Sequence, residues 1–565
     1  MKQLFMNAIN YIDNYAHSIL VATICDPQSP HYGIARSAAG IFSPGFEGLH
    51  YIGLLATAYT FPQSKYYQSN TVLKTLSALC HGVDKMLHKD GTGDLAISNF
   101  RQPEYFDIPQ ACLGYRFMSA LQDPGEEEKA VTEQIYHCVE RSAMGLLASG
   151  FHTPNHRWVH TAALYYVYNT LREKDERFLA LAEKYLAEKI DIDENGEFSE
   201  RSAGIYSAVT DKALCDIAIE ANKPELFDLV KRNLRLVYRY FERESFIFTQ
   251  NSRRKDKGEV GSDDLFDFTR YVEVCLLAYG NTRDIEFLQI LFSVIAKRKK
   301  NDSFYTFLYP FRLYPALMEE MPDLSALPPL EEEFHAFYPN SGIVRAKDKT
   351  AVYSIVARNP VFFHATVGDI TISARMCSSF FAIAQFLPDA IEKIGEKQYR
   401  MRFQTAQDYK LPFDTPPEGS ENYWSMDYQS RKSISRCEYG YTVDFTFADN
   451  GILLHVTTDG TPNVPFKLEF TVTPNVYVRA GNAMTIGAAG NFICANGGNI
   501  ELCNYGGDSI TIKNAFAKHF YHKDMRGSIP SPENKFMVYL TDFSPIDRTV
   551  EIVCEKNRPW DYYLK

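Results

Sequence analysis

The period of the hydrophobic pattern changes once along these 565 residues, and that change limits the chain to a helical part followed by a β part. Up to about residue 320, apolar residues recur three and four apart, as in Leu73 to Met86, Ala130 to Leu147, His160 to Leu171, Arg177 to Lys189, Lys212 to Ala221, Pro224 to Phe241, Leu265 to Tyr279 and Asp284 to Ala296. That spacing gives each segment one apolar face as a helix. Polar connectors such as Asp191-Ile192-Asp193-Glu194-Asn195-Gly196 and Gly280-Asn281-Thr282 separate them, so consecutive helices are expected to pair antiparallel. After Met321-Pro322-Asp323-Leu324-Ser325-Ala326-Leu327-Pro328-Pro329 the character changes. β-Branched and aromatic residues then alternate or cluster in Ala351 to Ala357, Val361 to Val367, Ile370 to Met376, Tyr441 to Ala448, Ile452 to Thr458 and Lys467 to Thr473, with Asp449-Asn450-Gly451 as a hairpin signal. Phe536 to Leu540 and Thr549 to Cys554 continue the pattern, and a large antiparallel sandwich is the expected arrangement. The domains expected are 1–322, a linker over 323–339, and 340–565; 45% hydrophobic and 14% aromatic residues suffice for two cores.

A net charge of -11 argues against nucleic acid and against a surface that binds polyanions in general, because such binding rests on clustered basic residues. An anionic substrate would need a local basic cleft. Residues 1–13 are amphipathic and include Asp13 where a secretion signal needs an unbroken apolar core, and no run approaches the ~18 apolar residues of a membrane span. The eleven cysteines are odd in number and mostly lie in apolar segments. Buried thiols in a reducing cytoplasm are therefore expected, the alternative being a secreted protein shown without its leader.

Two short segments of the helical part carry chemistry: Thr153-Pro154-Asn155-His156-Arg157-Trp158 and Glu200-Arg201-Ser202-Ala203-Gly204-Ile205-Tyr206-Ser207. Removing a proton alpha to a carboxylate builds negative charge beside an existing one, so the site must neutralise that carboxylate with fixed donors. Asn155 and His156 offer an amide and an imidazole side by side. A tyrosine phenol, ordinarily titrating near pH ~10, becomes a usable base or acid when a cation or histidine stabilises its ionised form. Arg201 and His156 are the neighbours expected for Tyr206. The competing reading is structural: an Asn-His pair after proline is often a helix N-terminus, and the chain has 36 tyrosines.

The stretch Gly150-Phe151-His152-Thr153-Pro154-Asn155-His156-Arg157-Trp158-Val159, followed by Glu200-Arg201 and Tyr206-Ser207, resembles the heparinase II/III-like and alginate lyase superfamily. Asp90-Gly91-Thr92-Gly93-Asp94-Leu95 running into Asn99-Phe100, and Asn340-Ser341-Gly342-Ile343-Val344-Arg345, are similar as well and stand in the family's order. The resemblance implies an α+β multidomain chain, with an N-terminal α/α toroid (an incomplete helical barrel) that carries catalysis, followed by an antiparallel β-sandwich. It implies a lyase that cleaves a 4-linked uronic acid in an oligo- or polysaccharide by β-elimination and leaves an unsaturated uronate. Asn155 and His156 would neutralise the carboxylate and Tyr206 would protonate the leaving oxygen.

The family also brings a histidine from a His-Gly-His-like strand of the β domain, in a site between the two domains. The match here is His364, within Val361-Phe362-Phe363-His364-Ala365-Thr366-Val367-Gly368-Asp369, without the second histidine and the intervening glycine. His335 or Tyr423 are alternatives, and without a histidine Tyr206 serves as both base and acid. Substrate-binding candidates are Asn99, Arg101 and Gln102 on a rim loop, Arg201, the guanidinium forks of Arg253 and Arg254, Trp158 as a sugar-stacking ring, and Tyr423-Trp424. Trp158 has burial as its equal alternative.

No cofactor is expected. His519-Phe520-Tyr521-His522 lacks further ligands at metal-binding spacing, and although some relatives hold a structural metal in the sandwich, nothing here earmarks one. Two other function classes stand beside the lyase: a glycoside hydrolase drawing its carboxylates from Asp90, Asp94 or Asp107, and a non-catalytic carbohydrate-binding protein. Asp90-Gly91 and Gly93-Asp94 also suit plain turns.

Overall fold

The computed structural model describes residues 1–36, 45–94, 101–102, 105–243, 246–257, 266–298, 304–320, 323–325, 327–419 and 421–558. Among the described residues the chain divides into two compact units: Met1–Ile247 with Ser252–Asp256 and Asp264–Leu330, and Phe248–Asn251 with Lys257–Asp263 and Glu331–Lys565.

The first unit is helical: α1 (Lys2–Ala22), α2 (Gly45–Thr60), α3 (Asn70–Met86), α4 (Ile108–Ser119), α5 (Glu126–Ala148), α6 (Pro154–Thr170), α7 (Glu176–Ala187), α8 (Tyr206–Glu220), α9 (Leu226–Tyr240), α10 (Phe268–Thr282), α11 (Glu286–Ala296) and α12 (Tyr309–Leu313). Two short hairpins interrupt it, β1 (Gly93–Asp94) with β2 (Arg101–Gln102) and β3 (Phe241–Arg243) with β4 (Phe246–Ile247). One row of neighbours runs α2, α4, α6, α8, α10, α12, and α3, α5, α7, α9 and α11 each pack against the helix before them. Phe5 of α1 meets Phe311 of α12 edge-on at 5.5 Å. The inner row is apolar nearly all round, as α6 shows with Trp158, Val159, Ala162, Ala163, Tyr165 and Tyr166 all buried. Outer helices keep one stripe, such as Val72, Leu76, Leu79 and Val83 on α3. α2 and α4 approach closely at Gly53, where a Cβ would sit 2.4 Å from the Gln110 carbonyl oxygen.

The second unit holds β5 (Phe334–Tyr338), β6 (Ile343–Lys347), β7 (Val352–Val356), β8 (Val361–Val367), β9 (Ile370–Ser378), β10 (Glu392–Gly395), β11 (Gln398–Lys410), β12 (Ser433–Ala448), β13 (Gly451–Gly460), β14 (Pro465–Val472), β15 (Val476–Ala480), β16 (Ala483–Gly487), β17 (Phe492–Cys494), β18 (Ile500–Cys503), β19 (Ser509–Lys513), β20 (Phe536–Phe543) and β21 (Asp547–Glu555). They form an eight-stranded sheet, β17-β20-β14-β9-β8-β7-β6-β5, and a nine-stranded sheet, β10-β11-β12-β13-β21-β19-β18-β15-β16. Inward-facing Tyr439, Tyr441, Val443 and Phe445 of one sheet share a core with Phe362, Phe466, Leu468 and Phe470 of the other. Asp449-Asn450 closes the β12–β13 hairpin with Ala448 opposite Gly451. The pairing is not wholly antiparallel: β17 runs parallel to β20.

All eleven cysteines are free thiols, and eight of them are buried. No helix among the described residues is long and apolar enough to cross a membrane, and no group of three or more His, Cys, Asp or Glu side chains among them is arranged to hold a metal.

Candidate active site

α4, α6 and α8 are successive members of the inner row, each separated in sequence by one returning helix, so they run in the same direction. Their N-terminal ends, which carry the partial positive charge of the helix dipole, gather at one end of the unit. Tyr105 lies just before α4, Pro154-Asn155-His156 open α6, and Tyr206 is the first residue of α8. Pro154 suits that place because a first-turn residue needs no N–H partner.

His156 has a defined protonation state. Burial pushes its pKa down to about 4, assisted by the neighbouring His152 and the Arg254 charge, while burial pushes Tyr105 up to about 12. A protonated phenol thus faces a neutral imidazole, and the Tyr105 hydroxyl and His156 Nδ1 share a hydrogen bond at 2.6 Å. With the phenol as donor, the ring proton resides on Nε2, which is then a neutral donor. His152 and Phe106 meet the ring edge-on at 4.7 and 5.0 Å and hold its orientation.

Asn155 is 1% exposed, and its Nδ2 lies 2.9 and 2.8 Å from the two oxygens of Glu200. The oxygens of one carboxylate are too close together for each to take its own amide hydrogen in line, so one hydrogen is shared and the second is left over. The Asn155 carbonyl oxygen has no partner. Glu200, its pKa raised by burial against the opposing pull of Asn155 and Arg254, also accepts from Arg254 Nη1 at 2.7 Å. The Arg254 guanidinium in turn lies 4.2 Å from the centre of the Tyr206 ring. Arg254 is therefore a cation stacked on Tyr206. Arg201, the cation expected there, occupies the left-handed backbone region at φ 53° and turns the chain between Glu200 and Ser202.

One buried carboxylate ties these loops together. Asp256 accepts from Ser202 Oγ at 2.8 Å, Ser252 Oγ at 2.5 Å and the Gly204 N–H at 3.2 Å. Ser202 Oγ accepts the Tyr206 N–H at 3.0 Å, and the Arg253 N–H reaches the Glu200 carbonyl at 3.0 Å. The Tyr206 hydroxyl has no hydrogen-bond partner among the described residues, and the Arg253 side chain is exposed. Asn155, Arg254 and Tyr206 are thus joined through Glu200, while His156, next in sequence to Asn155, is paired with Tyr105; Glu200 and Tyr105 are two residues outside the expected set. Glu200 opens the second motif, which was its sequence signal; nothing in the spacing tied Tyr105 to a histidine 51 residues away.

Other expectations fare differently. Trp158 is corrected: it is 0% exposed, donates from Nε1 to Asp191 at 2.7 Å and lies under the Arg157 guanidinium at 4.2 Å, so its ring is core and offers no face to a sugar. Asn99 and the side chains of Arg101 and Gln102 lie outside the described residues. Tyr423 and Trp424 are exposed on the loop between β11 and β12, where Tyr423 stacks on Tyr428 at 5.2 Å. His335 is held by the Tyr399 hydroxyl at 2.9 Å. Asp90 accepts from the backbone and hydroxyl of Thr92, which is the turn chemistry its sequence also suited. His364 belongs to the sandwich unit, where Ser373 Oγ holds its Nδ1 at 2.9 Å and Phe248 meets its ring edge-on at 5.3 Å. Burial and the Arg345 charge push its pKa to about 3. It lines a cavity of that unit of about 380 Å³.

No family model and no curated protein matches the chain in sequence. Solved structures do match it over nearly its whole length. A Paenibacillus xanthan lyase superposes with a TM-score of 0.59 at 10% identity, covering 99% of this chain and 57% of that one. The heparan sulfate lyase HepC from Pedobacter heparinus gives 0.53 at 8% identity, covering 98% and 88%, and the Streptomyces coelicolor A3 chondroitin AC lyase gives 0.53 at 11%, covering 98% and 80%. The chain has the polysaccharide-lyase fold. At these identities the fold is what the lyases and this chain share, and the chain spans 57% of the xanthan lyase's length. In this polysaccharide-lyase fold the helical unit comes first and the sandwich second, in the order expected.

Proposed function

We propose that the chain is a carbon–oxygen lyase that cleaves a 4-linked uronic acid in an oligo- or polysaccharide by β-elimination. The observation that carries this reading is the gathering of the Asn155 amide, His156, Arg254 and the Tyr206 phenol around the starts of α6 and α8, where Tyr105, by donating to His156 Nδ1, leaves Nε2–H as a neutral donor. Such donors stabilise charge that develops on a carboxylate as its alpha proton leaves. His156 Nε2 and the remaining Asn155 hydrogen hold the uronate carboxylate, and Arg253 and Arg254 add positive charge. The C5–H bond breaks, its electrons form the C4–C5 double bond, and the C4–O4 bond releases oxygen, which takes a proton from Tyr206. Where the C5 proton lies on the same face as O4, the Tyr206 phenolate removes it first and then returns it to O4 as phenol. For the opposite epimer a histidine is the base, with His364 as the candidate. The double row of helices and the meeting of α1 with α12 support the finer reading of the helical unit as an incomplete α/α toroid. The polysaccharide-lyase fold supports a polysaccharide substrate of the kind its neighbours' names carry, and a cytoplasmic location would suit short oligosaccharides.

A glycoside hydrolase is the second reading, because Asp107 lines a helical-unit cavity of about 210 Å³ together with Glu273, whose pKa burial raises to about 7. Incubation with a panel of uronate oligosaccharides tests both: a lyase generates an ultraviolet-absorbing conjugated product, a hydrolase cleaves without one, and a pure binder leaves the chains intact.

A further inference from the structure

The inner-row helices whose starts carry the candidate site also enclose the helical-unit cavity of about 210 Å³. Val159 and Ala162 line it roughly one and two turns along α6 from His156, and Val209 and Ala213 line it roughly one and two turns along α8 from Tyr206. Tyr105 and Phe106, which contact the His156 ring, form its rim, so the cavity runs inward from the candidate site. Its volume lies below the roughly 300–1,000 Å³ of sites for drug-sized molecules and suits a single sugar ring.

Farther along the same helices the inner end is closed. The Tyr166 hydroxyl of α6 donates to Asp216 of α8 at 3.1 Å and lies 3.1 Å from the Tyr309 hydroxyl of α12, while Lys212 reaches Asp216 at 2.6 Å and Glu273 of α10 at 3.8 Å. This chain of contacts spans four helices of the inner row, and its members Tyr166, Asp216 and Glu273 are buried. Glu273 is the unused group among them. It is 5% exposed, and its carboxylate takes no hydrogen bond among the described residues, because both short contacts of Lys212 go to Asp216. A buried carboxylate without a donor is costly. The Gln110 amide has no partner among the described residues either, and Arg270 uses only Nε, on Asp267 at 3.3 Å. Free donors and a free acceptor around one small cavity match sugar hydroxyls. Three acidic and two basic side chains line it, with His50 held 3.2 Å from Asp107, so a second carboxylate would meet no net positive charge there.

We propose that this cavity seats one uncharged sugar unit at the end of the substrate chain, next to the uronate held by Asn155 and His156. Its hydroxyls meet Glu273, Gln110 and Arg270, and its C–H faces lie against Val159 and Val209. The inference rests on the elimination reading and deepens it: the closed inner end stops the chain one unit from the uronate, so cleavage is exolytic and the substrate class joins uronate to neutral sugars. The test digests alternating uronate–N-acetylhexosamine chains (hyaluronan, heparosan and desulfated dermatan) and the homopolymers polyglucuronate and alginate with the full chain, following ultraviolet absorbance and product size together. Absorbance should rise on an alternating chain, with one small product of fixed size from the first turnovers and the remaining chains close to full length; homopolymers should show a KM at least about tenfold higher. Glu273→Gln and Val209→Phe should each raise KM for the alternating chain about tenfold, the loss of one charge-assisted contact or of the room for the ring, with kcat within about twofold. Val209 is half-buried and Glu273→Gln keeps the side chain's shape, so melting temperatures should match the parent's. Absorbance with a ladder of product sizes, a lower KM for homopolymers, or parental KM in both variants would overturn the pocket and leave the elimination reading standing. No absorbing product from any chain would overturn that reading and the pocket with it.

Discussion

In the proposed site Tyr105 donates to His156 Nδ1, which leaves Nε2–H to donate to a substrate. Tyr105→Phe removes one oxygen and frees Nδ1, so a fraction of the ring adopts the other tautomer; turnover should fall roughly tenfold while KM changes little. Asn155→Ala and His156→Ala should each lower kcat more than they raise KM, because their hydrogen bonds tighten as the carboxylate gains enolate character. If both variants only raise KM, the pair holds substrate and takes no part in the chemistry. The pH profile provides an independent check. With the His156 pKa at about 4, the neutral donor is present throughout pH 5 to 8, and the rate should show no histidine step near pH ~6.5 and fall only toward pH 4. At this scale the Asn-His-Tyr spacing was legible because those residues sit in two short segments. Glu200, Tyr105 and Arg254's place on Tyr206 depend on contacts across 45 to 54 residues, which no local pattern encodes.

The elements that position these residues are loops pinned by Asp256 and helix starts. Asp256→Ala leaves the Ser202 and Ser252 hydroxyls and the Gly204 N–H without their acceptor, and should cost about 1–3 kcal/mol and lower turnover, since Tyr206 and Arg254 flank the loosened turns. Full activity at reduced stability would remove Asp256 from the positioning of the site. Trp158 offers the contrast: Trp158→Ala should destabilise by about 3–5 kcal/mol, as for a large aromatic taken from a packed core, without a selective effect on KM. Outer helices were legible from their three-and-four spacing. Of the inner row, α6, α8 and α10 were legible in part from the same spacing, whereas α2 and α4, buried along most of their length, were not. Strands such as β8 and β14 read clearly, whereas the outward half of β11 and the start of β12 are exposed pairs without alternating burial. Trp158 was ambiguous because the same large ring serves a core or a sugar face equally well.

For the whole molecule, acid response separates the two units. In the sandwich, His335 and His364 are held near 4 and 3, below the unfolded value of ~6.5, so unfolding takes up protons as pH falls through that window. Their contribution is complete above pH ~6.5 and is lost progressively toward pH 4. The helical unit has the same kind of group in His156 and His160, but Glu273 is raised to about 7 and Asp211 is raised as well, and raised carboxyls contribute in the opposite direction. Calorimetry at pH 7 and pH 5 should lower the sandwich transition more than the helical one; an equal or reversed shift contradicts these assignments. The succession of a helical unit and a sandwich was legible because one change of hydrophobic period marks it. The crossing of chain segment 248–251 into the sandwich unit was not, because a few residues contributed far from their sequence neighbours leave no periodic trace. The central claim is that Tyr206 moves the proton in an elimination. The most direct measurement follows ultraviolet absorbance of a cleaved uronate oligosaccharide by the parent chain and by Tyr206→Phe. A conjugated product from the parent, reduced roughly 10²- to 10⁴-fold by the variant at unchanged melting temperature, is the predicted result. Cleavage without absorbance, or a variant as fast as the parent, contradicts it.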